Sequence, residues 1–326
     1  MKEKIITKKI LKWYDLNKRS LPWRKKVSSQ KRQYYTLVSE FMLQQTQVST
    51  VIPFFIRFIK SLPSLEYLAS VKEKKLIKLW EGLGYYARAR NLKKTAQSVI
   101  KNFDGKLPNN FEDLLKLPGI GSYTANAILA IAFNKPYIPL DGNIERVLKR
   151  YLYLKKNEEI QKDNLFKKKS ILGISSRSSD YAQALMELGA LICKPSNPEC
   201  EQCPISKNCK SYKKKDFILA KNTKRNKDKY FILKVYKKNH KYLLIKNTKF
   251  SFLKNLSIFP MEELYNPKNF NENLNFKMSN MNMNIKIQYS KVNEKFPSSY
   301  WVNKKKLNNY MLPSFTKKVV QFLEKN

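Results

Sequence analysis

The chain has 326 residues, enough for two or three domains with cores of their own. It carries 65 Lys and Arg against 25 Asp and Glu, a formal net charge of +40. That imbalance argues against an enzyme of small neutral metabolites and for a polyanion, because cations near phosphates release counterions from nucleic acid. A lysine-biased genome would give the same composition, so the charge needs motifs beside it.

Helical periodicity runs through residues 4–16, 34–47, 50–60, 65–69, 72–80, 85–101, 111–116, 122–133, 143–153, 158–172 and 178–192. Prolines mark the breaks between these stretches. Nothing up to residue 212 alternates as a strand does, so residues 1–212 are expected to form an all-α domain. The lysine-rich 213–228 reads as a basic linker. Beyond it, "YFILKVYKK", "KYLLIKN" and "NIKIQYSKV" read as strands and "PSFTKKVVQFLEK" as a closing helix. Residues 229–326 therefore read as a small α+β domain. No run of 18 apolar residues occurs and no signal peptide is visible, so a cytoplasmic protein is expected.

Only eight glycines occur, against a usual share of ~7%. Five of them fall in "GLGYY", "PGIG" and "LDGN", which points to positive φ or to close approach of a ligand. In "LPGIGSYTANAI", Gly119 and Gly121 precede a helix, an arrangement whose outward N–H groups and helix dipole suit a phosphate. A plain packing hairpin is the bland alternative.

All four cysteines, Cys193, Cys200, Cys203 and Cys209, fall in one C-x6-C-x2-C-x5-C run. Disulfides are not expected in a cytosolic protein. Zinc sites pair their cysteines in close knuckles, and only one close pair exists here. A four-cysteine [4Fe–4S] cluster fits the spacing at least as well.

Two carboxylates stand out. Glu40 lies in a helical, apolar setting that would raise its pKa. Asp141 precedes a helix, where capping amides would favour its ionised form; Asp there is commonly only a cap.

Six motifs follow one another in order: "LPWR", "SEFMLQQTQV", "WEGLGYYARARNL", "LPGIGSYTANAI", "LDGNIERVLKR" and "ALMELGALICKPSNPECEQCPISKNC". Together they resemble the adenine DNA glycosylases of the helix-hairpin-helix superfamily, over about residues 8–212. The resemblance implies a mainly α, two-lobed helix-hairpin-helix glycosylase domain with an iron–sulfur loop over 193–209. A Nudix or MutT-like domain that recognises 8-oxoguanine would follow, and that likeness is faint. The implied activity is hydrolysis of the N-glycosidic bond of adenine mispaired with 8-oxoguanine or G. The implied partner is double-stranded DNA with that mispair, bound by a monomer working at the nucleoid.

By the same resemblance, Glu40 protonates adenine, Asp141 stabilises or captures the sugar cation, and Asn143 stands beside Asp141. Gln45 and Tyr85 match residues that wedge into the duplex as the base is turned out. Leu43 and Thr46 would lie against the pair partner, and Arg24 and Glu187 would line the adenine pocket. Core packing for Leu43 and Tyr85, and a helix-face charge for Glu187, are the structural alternatives. The cysteine loop would offer Lys194, Lys207 and Lys210 to phosphates.

Tyr123 stands where the related endonuclease III enzymes carry a lysine that forms a Schiff base. A phenol cannot do so, which points to a monofunctional hydrolase. Asn126 departs from the glycine usual in adenine glycosylases. The alternatives are a bifunctional glycosylase/lyase of the endonuclease III type and a non-catalytic binder of damaged DNA. In the tail, Ser279 and Asn280, after Met278, are the best match to the polar turn that probes the oxidised base, and the lone His240 sits in an apparent hairpin turn.

Overall fold

The computed structural model describes residues 4–154, 173, 175–217, 227–265, 267–278, 281–290, 296, 298–303, 310 and 312–325. The expected helix over 158–172 and the expected probing residues Ser279 and Asn280 lie outside the described residues. The chain divides into two compact units: Met1–Val71 with Arg88–Lys221, and Lys72–Ala87 with Asn222–Asn326.

The first unit is helical among its described residues. It contains α1 (Ile5–Asn17), α2 (Ser29–Leu43), α3 (Val48–Ser61), α4 (Leu65–Ser70), nearly all of α6 (Ala87–Asn102), α7 (Phe111–Leu115), α8 (Ser122–Ile131), α9 (Gly142–Leu152), α10 (Ser178–Glu187) and the short α11 (Lys210–Lys213). α2 begins five residues before its apolar pattern, because Ser28 caps it by accepting from the Lys31 amide at 3.4 Å. It stops at Leu43, and Gln45 follows with φ 59°. Leu37, Val38, Phe41 and Met42 of α2 are fully buried. At about 1.5–3 kcal/mol each, they outweigh the cost of burying Glu40 among them. α10 runs directly into a π-helical turn, Leu188–Ile192, where one unbroken helix to 192 was expected. Ile10, Tyr14, Ile144, Leu148, Leu185 and Leu188 join α1, α9, α10 and that turn in one core.

The second unit holds α5 (Glu73–Trp80), eight strands and α12 (Ser314–Lys325) among its described residues. One sheet has the order β5-β1-β7-β6. In it β1 (Lys227–Val235) runs parallel to β7 (Met281–Tyr289), with Lys227 opposite Met281 and Val235 opposite Tyr289. β5 (Met261–Leu264) and β6 (Leu274–Met278) pair antiparallel on the two outer edges. In the other sheet, β3 (Lys241–Lys246) pairs antiparallel with β2 (Lys237–Lys238), β4 (Ser257–Ile258) and β8 (Ser299–Asn303). Alternate residues Phe231, Leu233 and Val235 point into a core completed by Phe315 and Val319 of α12. The tail lacks glycine, and its tight turns use asparagine instead. Asn239 and His240 take φ 46° and 58° in the β2–β3 hairpin, and Asn255 and Asn269 also have positive φ.

Candidate active site

Glu40 is 4% exposed on α2, and its Oε2 has no hydrogen-bond partner among the described residues. Burial is the main cause that pushes its carboxyl up to about 7. A hydrogen bond with the Tyr123 hydroxyl works the other way, the nearby Asp141 charge adds to the rise, and Arg24 opposes it. The Tyr123 phenol is itself held well above its ordinary value by burial, then by Glu40 and Asp141. α2, α8 and the start of α9 thus bring Glu40, Tyr123 and Asp141 within electrostatic reach of one another.

Asp141 caps α9, accepting from the Ile144 amide at 2.7 Å and from Asn143 Nδ2 at 2.9 Å. Its pKa is raised rather than lowered as its capping position led us to expect. Desolvation by burial is the largest cause and exceeds the pull of those hydrogen bonds. Asn143 is held from its other side by Arg146, whose Nη2 donates to its Oδ1 at 2.8 Å. Arg146 also donates to the Gly189 and Cys193 carbonyls, each at 2.6 Å. Neither Arg146 nor Gly189 stood out in the sequence, although both lie within the quoted motifs.

Arg24 and Glu187 are directly paired, Nη2 to Oε1 at 2.9 Å. Glu187 is fully buried and also takes a bidentate contact from Arg19, at 2.7 and 2.8 Å. Burial would raise its pKa, but the two guanidiniums lower it overall. Arg19, which the sequence reading missed, therefore supplies part of the countercharge. Arg24 Nε is buried with no hydrogen-bond partner among the described residues.

Leu43 and Thr46 are half-buried around Gln45, which is exposed and left-handed. The preceding Gln44 was not singled out by the sequence. Its Nε2 lies 3.5 Å from the Gly119 carbonyl and 3.4 Å from Thr124 Oγ1. Buried Arg88 donates to the Phe41 and Met42 carbonyls at 3.2 and 2.8 Å, and to that of Gln44. A cation there suits the carbonyl end of α2 and fixes the loop that carries Gln45. Tyr85, in the other compact unit, also has positive φ, 49°.

In the hairpin, Gly119 has φ 81°, and a Cβ on it would stand 2.8 Å from Asn91 Cβ and 2.9 Å from the Phe41 ring. Gly121 differs: its φ is −96°, it caps α8, and nothing lies within 4 Å of a Cβ placed there. Both are exposed, so the amide end of α8 is open to solvent.

The four cysteines are unpaired and partly buried. Cys193, Cys200 and Cys209 all act electrostatically on Cys203, so the thiols share one neighbourhood. Arg150 Nη1 lies 3.5 Å from Cys193 Sγ, and Cys209 Sγ lies 3.5 Å from the Arg150 carbonyl. Among the described residues, no three His, Cys, Asp or Glu side chains gather as a single metal ion requires. Lys207 and Lys210 are exposed, whereas Lys194 is taken up in an ion pair with Glu199. No described helix is long and apolar enough to cross a membrane.

A family model described as HhH-GPD superfamily base excision DNA repair protein matches residues 38–169. An adenine DNA glycosylase from Buchnera aphidicola subsp. Baizongia pistaciae (strain Bp) is 41% identical over 258 residues, covering 77% of this chain and 72% of that protein. The solved thermostable thymine-DNA glycosylase is 29% identical with a TM-score of 0.58, covering 64% of this chain and 96% of that one. An endonuclease III–DNA complex, 22% identical with a TM-score of 0.53, shares the fold over 66% of this chain and 98% of that one. With its carboxylates, hairpin and relatives in view, the chain belongs to the adenine DNA glycosylase family of the HhH-GPD superfamily.

Proposed function

We propose that the chain is a monofunctional base excision repair enzyme that binds double-stranded DNA and hydrolyses the N-glycosidic bond of adenine mispaired with 8-oxoguanine or G. The buried Glu40 carboxyl carries this reading, since a value of about 7 keeps a proton available near neutral pH. Glu40 gives that proton to the departing adenine, and the C1′–N bond breaks with its electron pair leaving on the base. Positive charge develops on the deoxyribose beside Asp141, whose carboxylate stabilises it. Water then adds at C1′ and returns its proton to Glu40. Tyr123 supplies a neutral hydroxyl where a lyase needs an amine, so no Schiff base forms.

In this reading Asn143 orients Asp141, and Arg24 faces the adenine with Glu187 as its countercharge. Gln45 and Tyr85 enter the duplex, with Leu43 and Thr46 against the pair partner. Gly119, Gly121 and the open end of α8 hold a phosphate. The four cysteines suit a [4Fe–4S] cluster: all are unpaired, all share one loop, and the other three each act electrostatically on Cys203. When bound, such a cluster ties that loop together and leaves Lys207 and Lys210 facing solvent. The mixed sheet backed by α12 supports a MutT-like tail, in which Ser279 and Asn280 meet the oxidised base. The protein works as a monomer in the cytoplasm, at the nucleoid.

The test is single-turnover excision from an A:8-oxoguanine duplex by the unsubstituted chain, Glu40→Gln and Asp141→Asn. Both variants should bind the duplex while losing nearly all excision. An Asp141→Asn variant that kept more than roughly a tenth of the rate would reduce Asp141 to a helix cap. Iron and sulfide assay of the purified protein should find about four irons per chain.

A further inference from the structure

The turn carrying Tyr85 is built within the same compact unit as the tail. Three of its residues, Gly82, Gly84 and Tyr85, have φ of 108°, 73° and 49°. Glycine takes such angles freely, but Tyr85 does not, so its left-handed backbone persists only where its surroundings over-determine it. Contacts at the start of the turn and within it contribute to this. Trp80, fully buried at the end of α5, donates its indole N–H to the Gly84 carbonyl at 3.2 Å. Glu81, only 11% exposed, is held by Lys78 at 2.8 Å and by Lys317 at 2.5 Å.

Lys317 belongs to α12, whose Phe315, Thr316, Val319 and Val320 are buried in the tail core. Its ammonium is therefore placed by the tail, and it grips the residue that opens the turn carrying Tyr85. An exposed ion pair would contribute little, but this carboxylate is sunk in the unit and takes two cations at once. At the far end of the turn Tyr85 remains 43% exposed.

We propose that Lys317 is a positioning residue: through Glu81, the tail domain sets the Tyr85 turn that opens the duplex at the mispair. This rests on the glycosylase reading above, in which Tyr85 is a wedge and the tail meets the mispair. It gives the tail a second task besides recognition, since the element that reads the damaged pair also holds the side chain that opens it.

The experiment uses the full-length chain and an A:8-oxoguanine duplex with 2-aminopurine beside the target adenine, whose fluorescence reports unstacking. Lys317→Met and Glu81→Gln should each slow opening by roughly threefold to tenfold, the scale of a half-buried ion pair. Lys317→Arg should restore most of the rate. In a Tyr85→Ala background, Lys317→Met should add nothing further, because both act on one step. A Lys317→Met rate equal to that of the unsubstituted chain, or a loss fully additive with Tyr85→Ala, would overturn the proposal. Adenine release by the unsubstituted chain is read in parallel, so failure of the glycosylase reading shows there, and failure of the Lys317 link shows only in the variants.

Discussion

Gly189 lies against Asn143 with no room for a side chain. A Cβ there would stand 2.5 Å from Asn143 Cβ and 2.9 Å from its Cα and carbonyl carbon. The π-helical turn and the start of α9 thus meet backbone to backbone, which seats Asn143 between Asp141 and Arg146. Gly189→Ala must push that start of α9 away. We expect overpacking to cost about 1–3 kcal/mol of stability and the displaced Asp141 to cost on the order of a hundredfold in excision. Urea unfolding and single-turnover kinetics check the two effects separately, and an unchanged excision rate would mean that Asp141 tolerates the shift.

Glu40 makes a pH prediction. Folding raises its carboxyl from 4.5 to about 7, so the folded protein holds that proton more tightly than the unfolded chain does. Ionising Glu40 therefore costs stability progressively between pH 4.5 and about 7, and in full above that. Glu40→Gln should raise the melting temperature at pH 8 and leave it unchanged near pH 4. Excision by the unsubstituted chain should fall about tenfold per pH unit above 7, as the proton donor empties. A flat rate from pH 6 to 9 would remove Glu40 as the acid.

Much of this site was legible because its residues sit in contiguous motifs. Glu40, Tyr123, Asp141 and Asn143 could each be read from a short string of neighbours. The features that were missed depend on contacts between distant segments. Arg19 matters because Glu187, 168 residues away, is buried beside it. Lys317 is one of 65 Lys and Arg residues, and no local pattern sets it apart. The rise in Asp141's pKa was invisible too, since a cap reveals its hydrogen bonds in sequence but not its burial. The helices expected among the described residues were placed to within a few residues, except where a serine cap lengthened α2 and where α10 gave way to a π turn; the short α11 was not expected. Strands β4, β5, β6 and β8 were missed, two of them being only two and four residues long. Strand alternation needs more positions than that to show.

Arg19 makes a prediction about stability. Lysine cannot reproduce its bidentate grip on Glu187, so Arg19→Lys should cost about 1–2 kcal/mol near neutral pH. Glu187 titrates below its ordinary 4.5 in the folded protein, so this contribution is complete above pH 4.5 and fades as pH falls through the lowered value. Urea midpoints of the two proteins should therefore differ most at pH 7, and the difference should shrink as pH is taken progressively below 4.5. Equal midpoints at pH 7 would show that Arg24 alone satisfies Glu187.

Tyr123 bears on the bond that is not made. Its hydroxyl hydrogen-bonds the Glu40 carboxyl, so an amine introduced by Tyr123→Lys would stand beside the reacting sugar. Borohydride should trap a covalent DNA adduct with Tyr123→Lys and none with the unsubstituted chain. Failure of the variant to trap would mean that position 123 does not face C1′.

The most direct test of the central claim is a single incubation of the full-length protein with a duplex containing one A opposite 8-oxoguanine. Free adenine and strand length are measured before and after hot alkali. A monofunctional adenine glycosylase releases adenine and leaves a strand that breaks only after alkali. Strand scission without alkali, or no release of adenine at all, would contradict the account.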